Sequence, residues 1–127
     1  MSADTAQRLI EGALAAAEEM GLAISIAVYD SSALLLAFHR MDGAMLGTVE
    51  VACKKAKTAV LFPLSTRDFG ALCRDENLDG MLATNDGLIG FAGGLPLPGG
   101  GGIGISGGSA DQDERIAERA IAFANDS

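Results

Sequence analysis

The chain has 127 residues, enough for one domain without room for a second core. It carries 17 acidic against 9 basic residues, a formal charge of −8, which argues against a nucleic-acid backbone or an anionic membrane as partner. Apolar residues make up 49% but aromatics only 5%, so the core must be built from Ala, Leu, Ile and Val, and further apolar surface is expected to be hidden by self-association.

In chain order, residues 4–20 place Leu9, Ile10, Ala13, Leu14 and Ala17 on one helical face, and Gly21 is a stop signal. Residues 22–30 and 33–40 are short, apolar and β-rich, with Asp30-Ser31-Ser32 as the turn of an antiparallel hairpin. Residues 47–62 return to helical spacing, with Thr48 as the expected N-cap and Pro63 as the stop. Ser65 is placed to cap a second helix over 66–76, and residues 77–87 read as loop. From Gly87 to Gly108 the chain holds 11 of its 17 glycines, with strands expected near 88–92 and 102–106. Ser109 and Gln112 form a capping box that opens a last helix running to about Asn125. The order α-β-β-α-α-β-β-α groups strands in hairpins, which predicts an α+β fold with an antiparallel sheet flanked by helices.

Cys53 and Cys73 form no CxxC, and with one histidine they offer no structural zinc site; they are expected to be reduced thiols. No signal-peptide pattern and no membrane-length apolar run is visible, so the expected location is cytoplasmic.

Three segments can carry chemistry. Phe38-His39-Arg40-Met41-Asp42-Gly43 brings an imidazole, a guanidinium and a carboxylate to a strand end. Arg40 either pairs with Asp42 to brace the fold or clamps a ligand carboxylate through its fork. His39 is the one side chain that titrates near neutrality unaided, and it either braces the strand end, ligates iron or moves protons. Lys54-Lys55-Ala56-Lys57 lies on a helix, with Lys54 and Lys57 on a shared face and Lys55 turned toward the alanines. A lysine held against apolar surface has its charge disfavoured and can act as a base or imine-forming amine. The glycine-rich segment is neither a Walker A loop nor a dinucleotide fingerprint, because no Gly-Lys-Ser/Thr follows and Asp111 and Asp113 would repel a phosphate. Tight turns and close backbone packing account for its glycines.

Together Ile24-Ser25-Ile26-Ala27-Val28-Tyr29-Asp30, Arg40-Met41-Asp42-Gly43-Ala44, Ala52-Cys53-Lys54-Lys55-Ala56-Lys57-Thr58-Ala59, Gly93-Gly94-Leu95-Pro96 and Gly104-Ile105-Ser106-Gly107-Gly108 resemble the GlcG/HbpS-like, or haem-degrading domain, family. The resemblance covers nearly the whole chain. It implies a profilin-like fold, homo-oligomers of dimer size or larger, and a small-molecule ligand, with haem or a related tetrapyrrole the first to test. Some haem-binding relatives carry a histidine at the end of the first helix; Glu18-Glu19-Met20 stands there in this chain, which leaves His39 as the imidazole for iron.

The expected ligand pocket is lined by Arg40, Asp42, Lys55 and the loop Gly94, Leu95 and Pro96. The alternative is a cofactor-independent isomerase, lyase or hydrolase acting on a small organic acid. There Arg40 would hold the carboxylate, and Lys55, Asp42 or His39 would transfer the proton. A third reading is a structural partner whose glycine-rich hairpin packs on another subunit.

Overall fold

A computed structural model describes residues 1–126. Its elements are α1 (Ala3–Met20), β1 (Ser25–Tyr29), β2 (Leu35–Arg40), α2 (Thr48–Leu61), α3 (Thr66–Asp75), a 3-10 turn (Met81–Ala83), β3 (Gly94–Pro96), β4 (Gly102–Ser106) and α4 (Ala110–Asn125). The strands form one antiparallel sheet in the order β2-β1-β4-β3. This is the expected α+β arrangement. Among the described residues no helix is long and apolar enough to cross a membrane.

Strand alternation divides the core. Ile24, Ile26, Val28, Ile103 and Ile105 turn toward α1 and α4 and are buried with Leu9, Ile10, Ala13, Ile116 and Ala120. The opposite face of the sheet presents Ala27, which packs against Ala52 and Ala56 of α2, with Tyr29, Phe38 and Cys53 at the margin. Because β4 contributes Gly102 and Gly104 to this face, α2 can lie directly on the backbone. A Cβ at Gly104 would overlap the carbonyl oxygen of Ala52, and one at Gly102 that of Ala56. This close approach fixes everything that α2 carries.

Helix ends follow the local chemistry. Ser109 accepts from the N–H of Gln112 at 3.2 Å, and the Gln112 side chain accepts from the N–H of Ser109 at 2.9 Å, completing the capping box. Ser65 accepts from the N–H of Asp68 and caps α3.

Two expectations are corrected. Gly47, not Thr48, is the N-cap of α2: Thr48 is already helical, and its hydroxyl donates to the carbonyl of Met45 while meeting the Ser25 hydroxyl at 2.9 Å. No strand forms over 88–92, and β3 begins at Gly94. Leu88 is buried against Phe69 and Cys73, its N–H donates to Leu82, and the N–H of Ile89 donates to the Thr58 hydroxyl. The backbone of this segment is therefore satisfied away from the sheet.

Candidate functional site

The close seating of α2 carries Lys55 inward between β4 and β3, where it is 1% exposed. Its ammonium donates to the carbonyl of Ile105 at 2.8 Å and to Oδ2 of Asp113 at 3.1 Å. Asp113, in the first turn of α4, is 2% exposed. Its Oδ1 accepts from the N–H of Gly108 at 2.8 Å, and the N–H of Gly107 adds to the stabilisation of the carboxylate. The ring of Phe91 lies over the ammonium at 5.0 Å, within cation–π range. Gly93 leaves the room this needs, since a Cβ there would run into Nζ.

Burial is the largest influence on both partners. It pushes the Lys55 ammonium down and the Asp113 carboxyl up, and each is opposed by the other's charge and hydrogen bond. The pair is a desolvated proton donor–acceptor couple joining α2, β4 and α4 under one aromatic ring. It is chemically able to exchange a proton, and on the side of the ammonium the ring of Phe91 stands over it.

Of the sequence-selected residues, the fold brings Lys55 together with Gly94, Leu95 and Pro96. A Cβ at Gly94 would fall 2.6 Å from the Lys55 carbonyl oxygen, and the Gly94 N–H donates to the buried Thr66 hydroxyl at 2.9 Å. These loop residues form the edge strand β3. Arg40 and Asp42 lie elsewhere. Arg40 pairs in register with Ser25, and Ser25 in turn with Ser106, so Arg40 sits on β2 at the other edge of the sheet. Arg40, Asp42 and His39 are all exposed. His39 pairs with Ile26, on the alternation that faces α1 and α4. Met41 is committed locally, its sulfur accepting from the N–H of Ile24 at 3.4 Å. Within one chain, then, Arg40 and Asp42 do not join Lys55 around a hollow.

Asp113 enters the sequence reading only as an acid that would repel a phosphate from the glycine-rich segment. Its partner is 58 positions away, and no local pattern signals the pairing. Among the described residues no group of three His, Cys, Asp or Glu side chains is gathered to hold a metal ion.

Residues 1–122 match the family model described as haem degrading protein HbpS-like. The chain belongs to the HbpS-like family. Among curated proteins it is similar to the corrinoid adenosyltransferase PduO of Citrobacter freundii, 35% identical over 93% of this chain. This HbpS-like chain spans 37% of that relative's length. Among solved structures, protein ORFY of Klebsiella pneumoniae superposes with a TM-score of 0.95 at 26% identity, covering 100% of this chain and 92% of that one. The PduOC:heme complex superposes with a TM-score of 0.83 at 30% identity, covering 97% of this chain and 94% of that one. The family resemblance and the α+β fold read from the sequence are thus both borne out, and the HbpS-like assignment extends over α1 to α4.

Proposed function

We propose that this HbpS-like chain binds haem or a related tetrapyrrole at the β2 edge of its sheet. The observation that carries the reading is the accessibility of its one imidazole: His39 is exposed on an edge strand beside the exposed Arg40. Likeness to the PduOC:heme complex along almost the full chain supports the choice of ligand.

A tetrapyrrole asks for an iron ligand, apolar contact for its ring and a cation for its carboxylates. The β2 edge and the loops at its two ends hold those types. His39, on the α1/α4 side of the edge strand, would supply the nitrogen ligand, and Arg40, on the α2 side, would have to reach round the edge to offer the carboxylate fork, while Leu35 (52% exposed), Met45 (72%) and Leu46 (78%) offer apolar surface. Bound haem would bring a redox-active iron; the chain's own part is to ligate it, orient it and shield it from water. The edge is open rather than enclosed. A second copy of the chain is the natural cover for the other ring face, so the ligand would sit at a homo-oligomer interface.

Titration of the purified protein with hemin tests this. The expected result is a saturable shift of the Soret band that His39→Ala abolishes and Arg40→Ala weakens. A non-saturable change, or a titration identical in His39→Ala, would overturn the reading.

A further inference from the structure

We propose that a second, smaller site lies on the outer face of α2, between the end of β1 and the loop at residues 85–87, and that it binds a short organic carboxylate through Lys57 and Tyr29. This site is independent of the haem reading. Its hollow has a volume of about 190 Å³, below the roughly 300 Å³ at which drug-sized pockets begin, and too small for a tetrapyrrole.

The site follows from the spacing on α2. Glu50, Lys54 and Lys57 recur at helical intervals on the side of α2 turned away from the alanines that seat it on the sheet, and Cys53 lies at the margin between the two. Tyr29 of β1 and the loop residues Asn85, Asp86 and Gly87 complete its lining. The loop is held over the helix by Lys54, whose ammonium donates to the Asp86 carbonyl at 2.7 Å. Gly87 favours glycine because its φ of +101° lies in the left-handed region that strains any L side chain.

Charge decides the ligand class. Lys54 is already committed to the Asp86 carbonyl and to Glu50, at 3.3 Å, which neutralises that carboxylate. Asp86 is exposed, where solvent screens its charge. Among the described residues, no carboxylate lies within ion-pair distance of the half-buried Lys57. Lys57 is therefore the cation left for a ligand. Beside it, Tyr29 and Cys53 line the same hollow, and burial raises the pKa of both, the phenol's to about 12. They offer neutral O–H and S–H donors rather than competing anions. One free ammonium facing neutral donors suits a carboxylate that carries a hydroxyl or keto oxygen.

Tyr29 is the chain's one tyrosine, and the chain has no tryptophan, so intrinsic fluorescence reports this site alone. Sodium lactate is the probe, with sodium acetate as the acid lacking a hydroxyl and sodium chloride as the ionic-strength control. Lactate should give a saturable change in Tyr29 emission, acetate a weaker one and chloride none. Lys57→Met should weaken lactate binding about tenfold, and Lys57→Arg should restore most of it. The absence of a saturable lactate response, an equal response to chloride, or an unchanged titration in Lys57→Met would each overturn the assignment.

Discussion

Lys55 and Asp113 meet at 3.1 Å with both side chains almost wholly out of solvent, across 58 positions of sequence. Neither partner is left with a single contact: the ammonium also holds the Ile105 carbonyl, and the carboxylate also holds the Gly108 N–H. Two charges withdrawn from water lose several kcal/mol of hydration each, and their attraction returns this only when the remaining hydrogen bonds are filled. Here they are filled from β4 and the turn into α4. The pair thus ties the helix on one face of the sheet to a helix on the other.

Breaking the pair from one side should therefore be worse than removing it whole. Asp113→Ala leaves a buried ammonium without its anion and should cost about 3–5 kcal/mol in urea denaturation. Lys55→Met should also destabilise, and the Lys55→Met/Asp113→Leu double variant should cost clearly less than the sum of the single losses. Additive losses would show that the two residues act separately.

The seating of α2 on glycine gives a contrasting pair of substitutions. Gly104→Ala drives a methyl group into the Ala52 carbonyl, where neither backbone can yield cheaply, and should cost about 2–3 kcal/mol. Gly47→Ala meets nothing within 4 Å and keeps an ordinary φ of −64°. It should be neutral or stabilise by up to about 1 kcal/mol. Thermal melts of the two variants separate close packing from backbone freedom as the reason for glycine.

Much of this was legible where the signal is local. The α1 face, the Asp30 turn, which accepts from Ser32 and Leu34, and the Ser109–Gln112 box each depend on residues a few positions apart. The position of β3 was not, because Leu88 and Ile89 look like strand but are claimed by α3 and Thr58. The candidate site was half legible. Helical spacing turns Lys55 toward the alanines, but only the sheet order β2-β1-β4-β3 determines that Gly94–Pro96 lie near it and Arg40 does not. Edge placement is a long-range property, and motif order along the chain carries no record of it.

Tyr29 gives a prediction in pH. Burial, with Cys53 beside it, raises its pKa from 10.0 to about 12. A raised pKa means that folding favours the neutral phenol, so the associated stability is fully present below pH 10.0 and is lost as pH rises toward about 12. With no other tyrosine and no tryptophan, the phenolate absorption band titrates this one group. Its midpoint should lie near 12 in the folded protein and fall to about 10 in urea. Tyr29→Phe should flatten the alkaline fall in stability, and equal midpoints with and without urea would refute the shift.

Phe91 is 51% exposed, yet the ammonium its ring covers is not. An exposed aromatic costs hydration, so its value here should lie in what it shields. Phe91→Ala should lose about 1–2 kcal/mol through the lost cation–π contact and ring packing, and should also open a path to Lys55. Labelling with an amine-reactive reagent followed by peptide mass analysis reads the second effect directly. Lys54 and Lys57 should label in both proteins, whereas Lys55 should label only in the alanine variant. Phe91→Leu, which keeps an apolar cover without a π face, should show the stability loss with little labelling. Equal labelling of Lys55 and Lys57 in the unaltered protein would mean that the ring is no barrier, and the buried amine would then be open to small electrophiles without any displacement of Phe91.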